Sequence, residues 1–185
     1  MGHIAMILAD DVLNFWFHEV SPRQWWEKSA QFDDLIRRRF GGLLARAVQC
    51  ELFDWRGTPG GRLAEIIVLD QFSRNIHRES ASAFASDGIA LALAQEAVSI
   101  GADRELPAER RAFMYLPYMH SESAAIHNIA VKLFAAPGLE DNFKFELKHK
   151  AIIERFGRYP HRNAALGRES TPDERAFLQT AGSSF

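Results

Sequence analysis

Apolar residues in this chain recur at intervals of three and four from near one end to the other, and no stretch sustains the two-residue alternation of a β-strand. Side chains three and four apart share one face of a helix, so the spacing predicts an all-α protein. Asp10 or Asp11 caps a short helix with Val12, Phe15 and Trp16 inward. Ser29 opens a longer one carrying Phe32, Ile36, Phe40, Leu43 and Ala47, which Gly41-Gly42 either divides or bends. Further helices are expected over Arg62 to Phe72, from Ser86-Asp87 to Gly101, and from Pro107 to Pro117, which ends or kinks it. Others follow from Ser121 to Ala136, with Ser121 as N-cap, and up to Gly157. Thr171-Pro172-Asp173-Glu174 has the form of a capping box before a last helix.

About eight short helices joined by turns imply stacked antiparallel helical hairpins rather than an up-and-down bundle. The 185 residues contain no long linker, so residues 1–185 are expected to form one domain. With 47% hydrophobic and 25% charged residues, the chain is neither disordered nor collagen-like. Its single cysteine, Cys50, cannot form an internal disulfide and is expected to pack as a small apolar group. The apolar runs Ile4 to Ala9 and Ile89 to Ala94 fall far short of the roughly 18 residues that span a bilayer. The N-terminus lacks the basic region of a signal peptide, and Gly2-His3 has the look of a cloning remnant. A net charge of -2 gives no pull towards nucleic acid or anionic lipid. These features together predict a cytoplasmic protein with neither nucleic acid nor membrane as partner; they leave the oligomeric state open.

One segment occurs twice. Val68 to Arg78 (VLDQFSRNIHR) and Ile152 to Arg162 (IIERFGRYPHR) align with phenylalanine, two arginines and a histidine in common. The pairs are Phe72/Phe156, Arg74/Arg158, His77/His161 and Arg78/Arg162, with Asp70/Glu154 matching in kind. Each acid precedes the first arginine by four residues, which a helix would bring together. Both segments fit helix C-termini, where arginine and histidine complement exposed carbonyls. They equally fit two corners facing one groove, since a guanidinium fork suits carboxylate or phosphate.

Tyr115 to Glu122 (YLPYMHSE) places His120 and Glu122 at a proline-broken helix boundary, a general base with an orienting carboxylate. The alternative is a hydrogen-bonded core histidine beside helix-start residues. No HExxH, paired CxxC, phosphate-binding glycine loop or GxSxG elbow is present, so no metal or cofactor is expected; TPGG (Thr58 to Gly61) reads as a turn. Trp16, Trp25, Trp26 and Trp55 are core or groove-edge aromatics.

The chain resembles the bacterial "domain of unknown function 924" family through VLNFWF, FDDLIRRRFG, IIVLDQFSRNIHR, FMYLPYMHSE and ERFGRYPHRNAALGRESTPDE. The resemblance implies a tetratricopeptide-repeat-like superhelix and no known reaction. Two positions depart from the family pattern. Ser73 stands where proline is usual, and is expected to loosen the turn. His77 stands where tyrosine is usual, making the histidine coincidence private to this chain. The resulting expectation is a pocket for a small anionic metabolite. Asp70, Arg74, Asn75, Arg78, His149, Arg158, Arg162 and Asn163 would bind, and His120, Glu122 and His161 would handle protons, with Glu122 or Asp70 orienting the histidine that carries the proton. The other expectation is a scaffold gripping a peptide or partner helix in an apolar groove edged by Trp25 or Trp26.

Overall fold

A computed structural model describes residues 7–184 and, within them, eight α-helices and no strand. Gly2-His3 and the start of the Ile4 to Ala9 run lie outside the described residues. The helices are α1 (9–19), α2 (Ala30–Val48), α3 (59–76), α4 (Asp87–Ser99), α5 (Ala108–Met119), α6 (Ala124–Phe134), α7 (Glu140–Phe156) and α8 (Pro172–Leu178). Two of them widen into a π-turn: α1 at Phe15–Glu19 and α3 at Val68–Phe72.

Odd-numbered helices stack in succession, α1 on α3, α3 on α5 and α5 on α7. The even ones fill in beside them, α2 on α3, α4 between α3 and α5, α6 between α5 and α7. This is a stack of helical hairpins. Its central member is α3, whose Leu63, Ala64, Ile66, Ile67, Val68, Leu69 and Phe72 are fully buried. A helix buried on most of its surface is stable only when surrounded, and here α1, α2, α4 and α5 surround it. Among the described residues no helix is long and apolar enough to cross a membrane.

Local signals explain most boundaries. Ser29 Oγ accepts from the Phe32 N–H, and both halves of the Thr171/Glu174 capping box form. Gly101 and Gly157 follow their helices with positive φ, the left-handed conformation that ends a helix readily only at glycine. Several expectations are corrected. Of the two readings of Gly41-Gly42, division is excluded, because α2 runs unbroken from Ala30 to Val48. Pro117 lies inside α5, near its end. TPGG is the cap and first turn of α3: Thr58 Oγ1 accepts from the Gly61 N–H at 3.0 Å. The N-cap of α6 is Ser123, because the chain from His120 to Glu122 is held elsewhere. Cys50 is exposed at φ 59, in the turn that ends α2, instead of packing inside. Ser73 does not loosen its turn. Its buried hydroxyl donates to the Leu69 carbonyl at 2.5 Å, an anchor that proline has no donor to make.

Candidate functional site

The C-terminal halves of α3 and α5, the start of α4 and the turn after α7 meet in one place. The widened turn of α3 carries Asp70, which is fully buried. π-turns of this kind are frequent at functional sites. Asp70 contacts His120 Nδ1 at 2.7 Å, Gln71 Nε2 at 2.6 Å and Arg74 Nη1 at 3.1 Å. Burial would raise its pKa, but the Arg74 charge, followed by His120, outweighs burial and holds the carboxyl far below its usual range. A carboxylate can only accept, so His120 donates from Nδ1 and keeps the Nε2 lone pair. Burial also pushes the His120 pKa down, against the pull of Asp70. The orienting partner of His120 is therefore Asp70, not Glu122.

Arg74 grips Asp87, at the first turn of α4, through both terminal nitrogens at 2.9 and 3.0 Å. Arg162 reaches the same carboxylate at 3.2 Å and donates to the His120 carbonyl at 2.9 Å. Its guanidinium lies between the rings of Phe84 (4.6 Å) and Tyr159 (4.8 Å), an aromatic setting that favours a cation. Two arginines thus converge, but crosswise: the first of one repeat copy with the last of the other. The remaining two point to other partners. Arg78 and Asn75 hold Asp33 of α2, and Arg158 holds Glu174 of α8 at 2.6 and 2.8 Å. Equal positions diverge because α3 stays helical through Ile76, whereas the second copy breaks at Gly157 and turns again at Pro160–Arg162. For the same reason the second acid, Glu154, pairs with Lys150 and not with Arg158.

Glu122 accepts two hydrogen bonds from Arg168 (2.8 and 2.9 Å) and one from the Tyr159 N–H (2.7 Å). Asn163 joins Glu174, Ser170 and Arg168. His149 bonds the Phe145 carbonyl through Nδ1, and its ring packs against Tyr159, as does that of His161. Burial lowers both of these histidines to a pKa of about 3. His77 is exposed, so the repeat does not bring two histidines together.

Phe84, Asp87, Pro117, His120, Glu122 and Arg162 line an open cavity of about 330 Å3, with Leu91 and Leu166 among its apolar lining. Across the cluster around the cavity Arg74 and Arg162 are balanced by Asp70 and Asp87, and Arg168 balances Glu122; of these, Asp87, Glu122 and Arg162 line the cavity itself. Among the described residues no group of three or more histidines, cysteines or acids could hold a metal ion. A second depression of about 370 Å3 lies between α7 and α8, lined by Lys148, Arg155 and Phe177, and contains none of the expected site residues. Asp87, Phe84, Tyr159 and Arg168 belong to the site although their sequence context marks only a helix start and ordinary loops. Asp87 had the signal of a first-turn acid, and Tyr159 lies inside the repeated segment, but neither signal assigns a place in the site.

The comparisons with known proteins agree with this architecture. A protein of unknown function from Agrobacterium tumefaciens has a similar solved structure, 37% identical, with a TM-score of 0.88 over 92% of this chain and 96% of that one. No curated protein matches the chain. The family described as "bacterial protein of unknown function (DUF924)" matches residues 12–182. The chain belongs to this DUF924 family.

Proposed function

We propose that the cavity binds a small molecule carrying an anionic group, and that His120 moves a proton on it. The observation that carries this reading is the Asp70–His120 contact at 2.7 Å, with the imidazole lining the cavity. A neutral histidine with Nδ1–H fixed on a carboxylate presents Nε2 as a base, and the carboxylate stabilises the imidazolium formed when Nε2 takes a proton. No other described residue hydrogen-bonds Nε2. Arg162 supplies the positive end of the cavity, where burial reduces screening by water. Asp87 already occupies part of that fork, so the reading favours one anionic group on an otherwise apolar or neutral molecule.

A thermal-shift screen of small carboxylates, phosphates and neutral analogues tests this. A ligand at a hundred times its Kd stabilises by about 2.7 kcal/mol. Carboxylates or phosphates should raise the melting temperature of the wild-type chain and of Arg158→Ala, but not of Arg162→Ala. Stabilisation that survives both Arg162→Ala and His120→Gln would remove the cavity from consideration. A scaffold that grips a peptide finds less support. Trp25 donates its indole N–H to the Trp16 carbonyl and packs into the core, leaving Trp26 as the exposed member of the pair.

A further inference from the structure

The chain segment that presents His120 is held at three successive peptide carbonyls by three different side chains. Tyr159 Oη donates to the Met119 carbonyl at 2.5 Å, Arg162 Nη2 to that of His120 at 2.9 Å, and His127 Nε2 to that of Ser121 at 2.8 Å. His127 is braced in turn by Glu146 of α7, whose Oε1 lies 2.7 Å from Nδ1. Neither His127 nor Glu146 has any exposed surface.

We propose that His127, braced by Glu146, and Tyr159 are positioning residues that fix the His120 imidazole against Asp70 and the cavity. The inference rests on the acid–base reading given above. Carbonyls at a helix end need partners, and water or a local cap satisfies them at most ends. Here two of the partners, Tyr159 and Arg162, come from the turn after α7, 40 and 42 residues along the chain from the carbonyls they hold, and the third, His127, comes from the next helix, α6. One partner is a fully buried ionisable pair, and replacing such pairs by well-packed apolar residues is often neutral or stabilising, so stability alone is a weak reason for one. Glu146 Oε2 is also buried without a hydrogen bond, the kind of unmet demand that persists where geometry has a purpose beyond packing. Burial raises the Glu146 carboxyl. The Ser121 carbonyl can only accept, so the His127 Nε2 keeps its proton whichever of Oε1 and Nδ1 holds the one between them. Tyr159 serves twice: its N–H also holds the carboxylate of Glu122, which lines the cavity.

The test is a long-range 1H–15N correlation on the full-length 15N-labelled chain at pH 7, which reports which ring nitrogen of His120 carries its proton. In the wild type His120 should show the Nδ1-protonated form alone. Tyr159→Phe removes one hydroxyl, and His127→Phe removes the donor to Ser121. Each should convert the His120 signals to those of a tautomer mixture while the amide spectrum stays folded. Glu146→Gln can still donate to Nδ1 and should retain the wild-type signature. A lower melting temperature with the His120 signals unchanged in Tyr159→Phe would show a helix cap and nothing more, overturning the inference. Should His127→Phe fail to fold, Tyr159→Phe decides alone. An Nε2-protonated His120 in the wild type would sink the acid–base reading and this inference with it; unchanged variants sink only the inference.

Discussion

Asp70 keeps its charge inside the protein because Arg74 and His120 are both within hydrogen-bond reach. Removing that charge strands the Arg74 guanidinium over a buried amide, although Asp87 still holds its outer edge. Breaking a buried pair from one side typically costs about 3–5 kcal/mol. Asp70→Asn should therefore lower the unfolding free energy by an amount in that range, measurable by urea denaturation. His120→Gln leaves the Asp70–Arg74 pair intact and should cost less. Equal losses would mean that His120, not Arg74, is the principal partner of the carboxylate. The order of the two variants matters more than either value, because it states which neighbour keeps Asp70 ionised.

Element by element, the helices followed from spacing and caps, since burial of one apolar face is a local property of sequence. Their interruptions did not. The π-turn that aims Asp70 has no composition signal, and Gly41-Gly42 resembles a break yet lies in an unbroken helix. Gly61 shows why glycine identity alone is ambiguous. A Cβ there would lie 1.9 Å from the Trp55 carbonyl oxygen, whereas at Gly41 or Gly42 nothing lies within 4 Å. Gly61→Ala should accordingly destabilise, while Gly41→Ala should stabilise by about 0.5–1 kcal/mol through helix propensity. Thermal melts of the two variants should shift in opposite directions; a shared sign would contradict the packing at the start of α3. The candidate site was legible in part for the same reason. Arg74, Arg162, His120 and Asp70 stood out by residue type, but their pairing depends on which copy of the repeat stays helical. Arg78 and Arg158 match them in type and were separated only by tertiary geometry.

For the molecule as a whole, the histidines set a limit on acid tolerance. His149 and His161 are held neutral, each with a pKa of about 3, and His120 is lowered as well, burial being the main cause in all three. In the unfolded chain a histidine titrates at about 6.5. Below that pH the unfolded chain takes up protons that the folded one refuses, so stability falls with pH. The contribution is complete above the unfolded value and is lost progressively as pH drops towards the folded one. Each fully refused proton steepens the loss by about 1.4 kcal/mol per pH unit. Carboxylates add to the decline only lower down: Arg158 first of all holds Glu174 at about 2, and Glu122 is lowered too. Glu146, raised by burial, works in the opposite direction. Between pH 6.5 and 5 the slope is therefore chiefly a histidine slope. Urea midpoints taken across that interval should fall steadily, and His149→Gln should flatten the fall by one proton's worth. A stability constant from pH 7 to pH 5 would mean that these rings are protonated in the folded protein, and with them the base at the cavity.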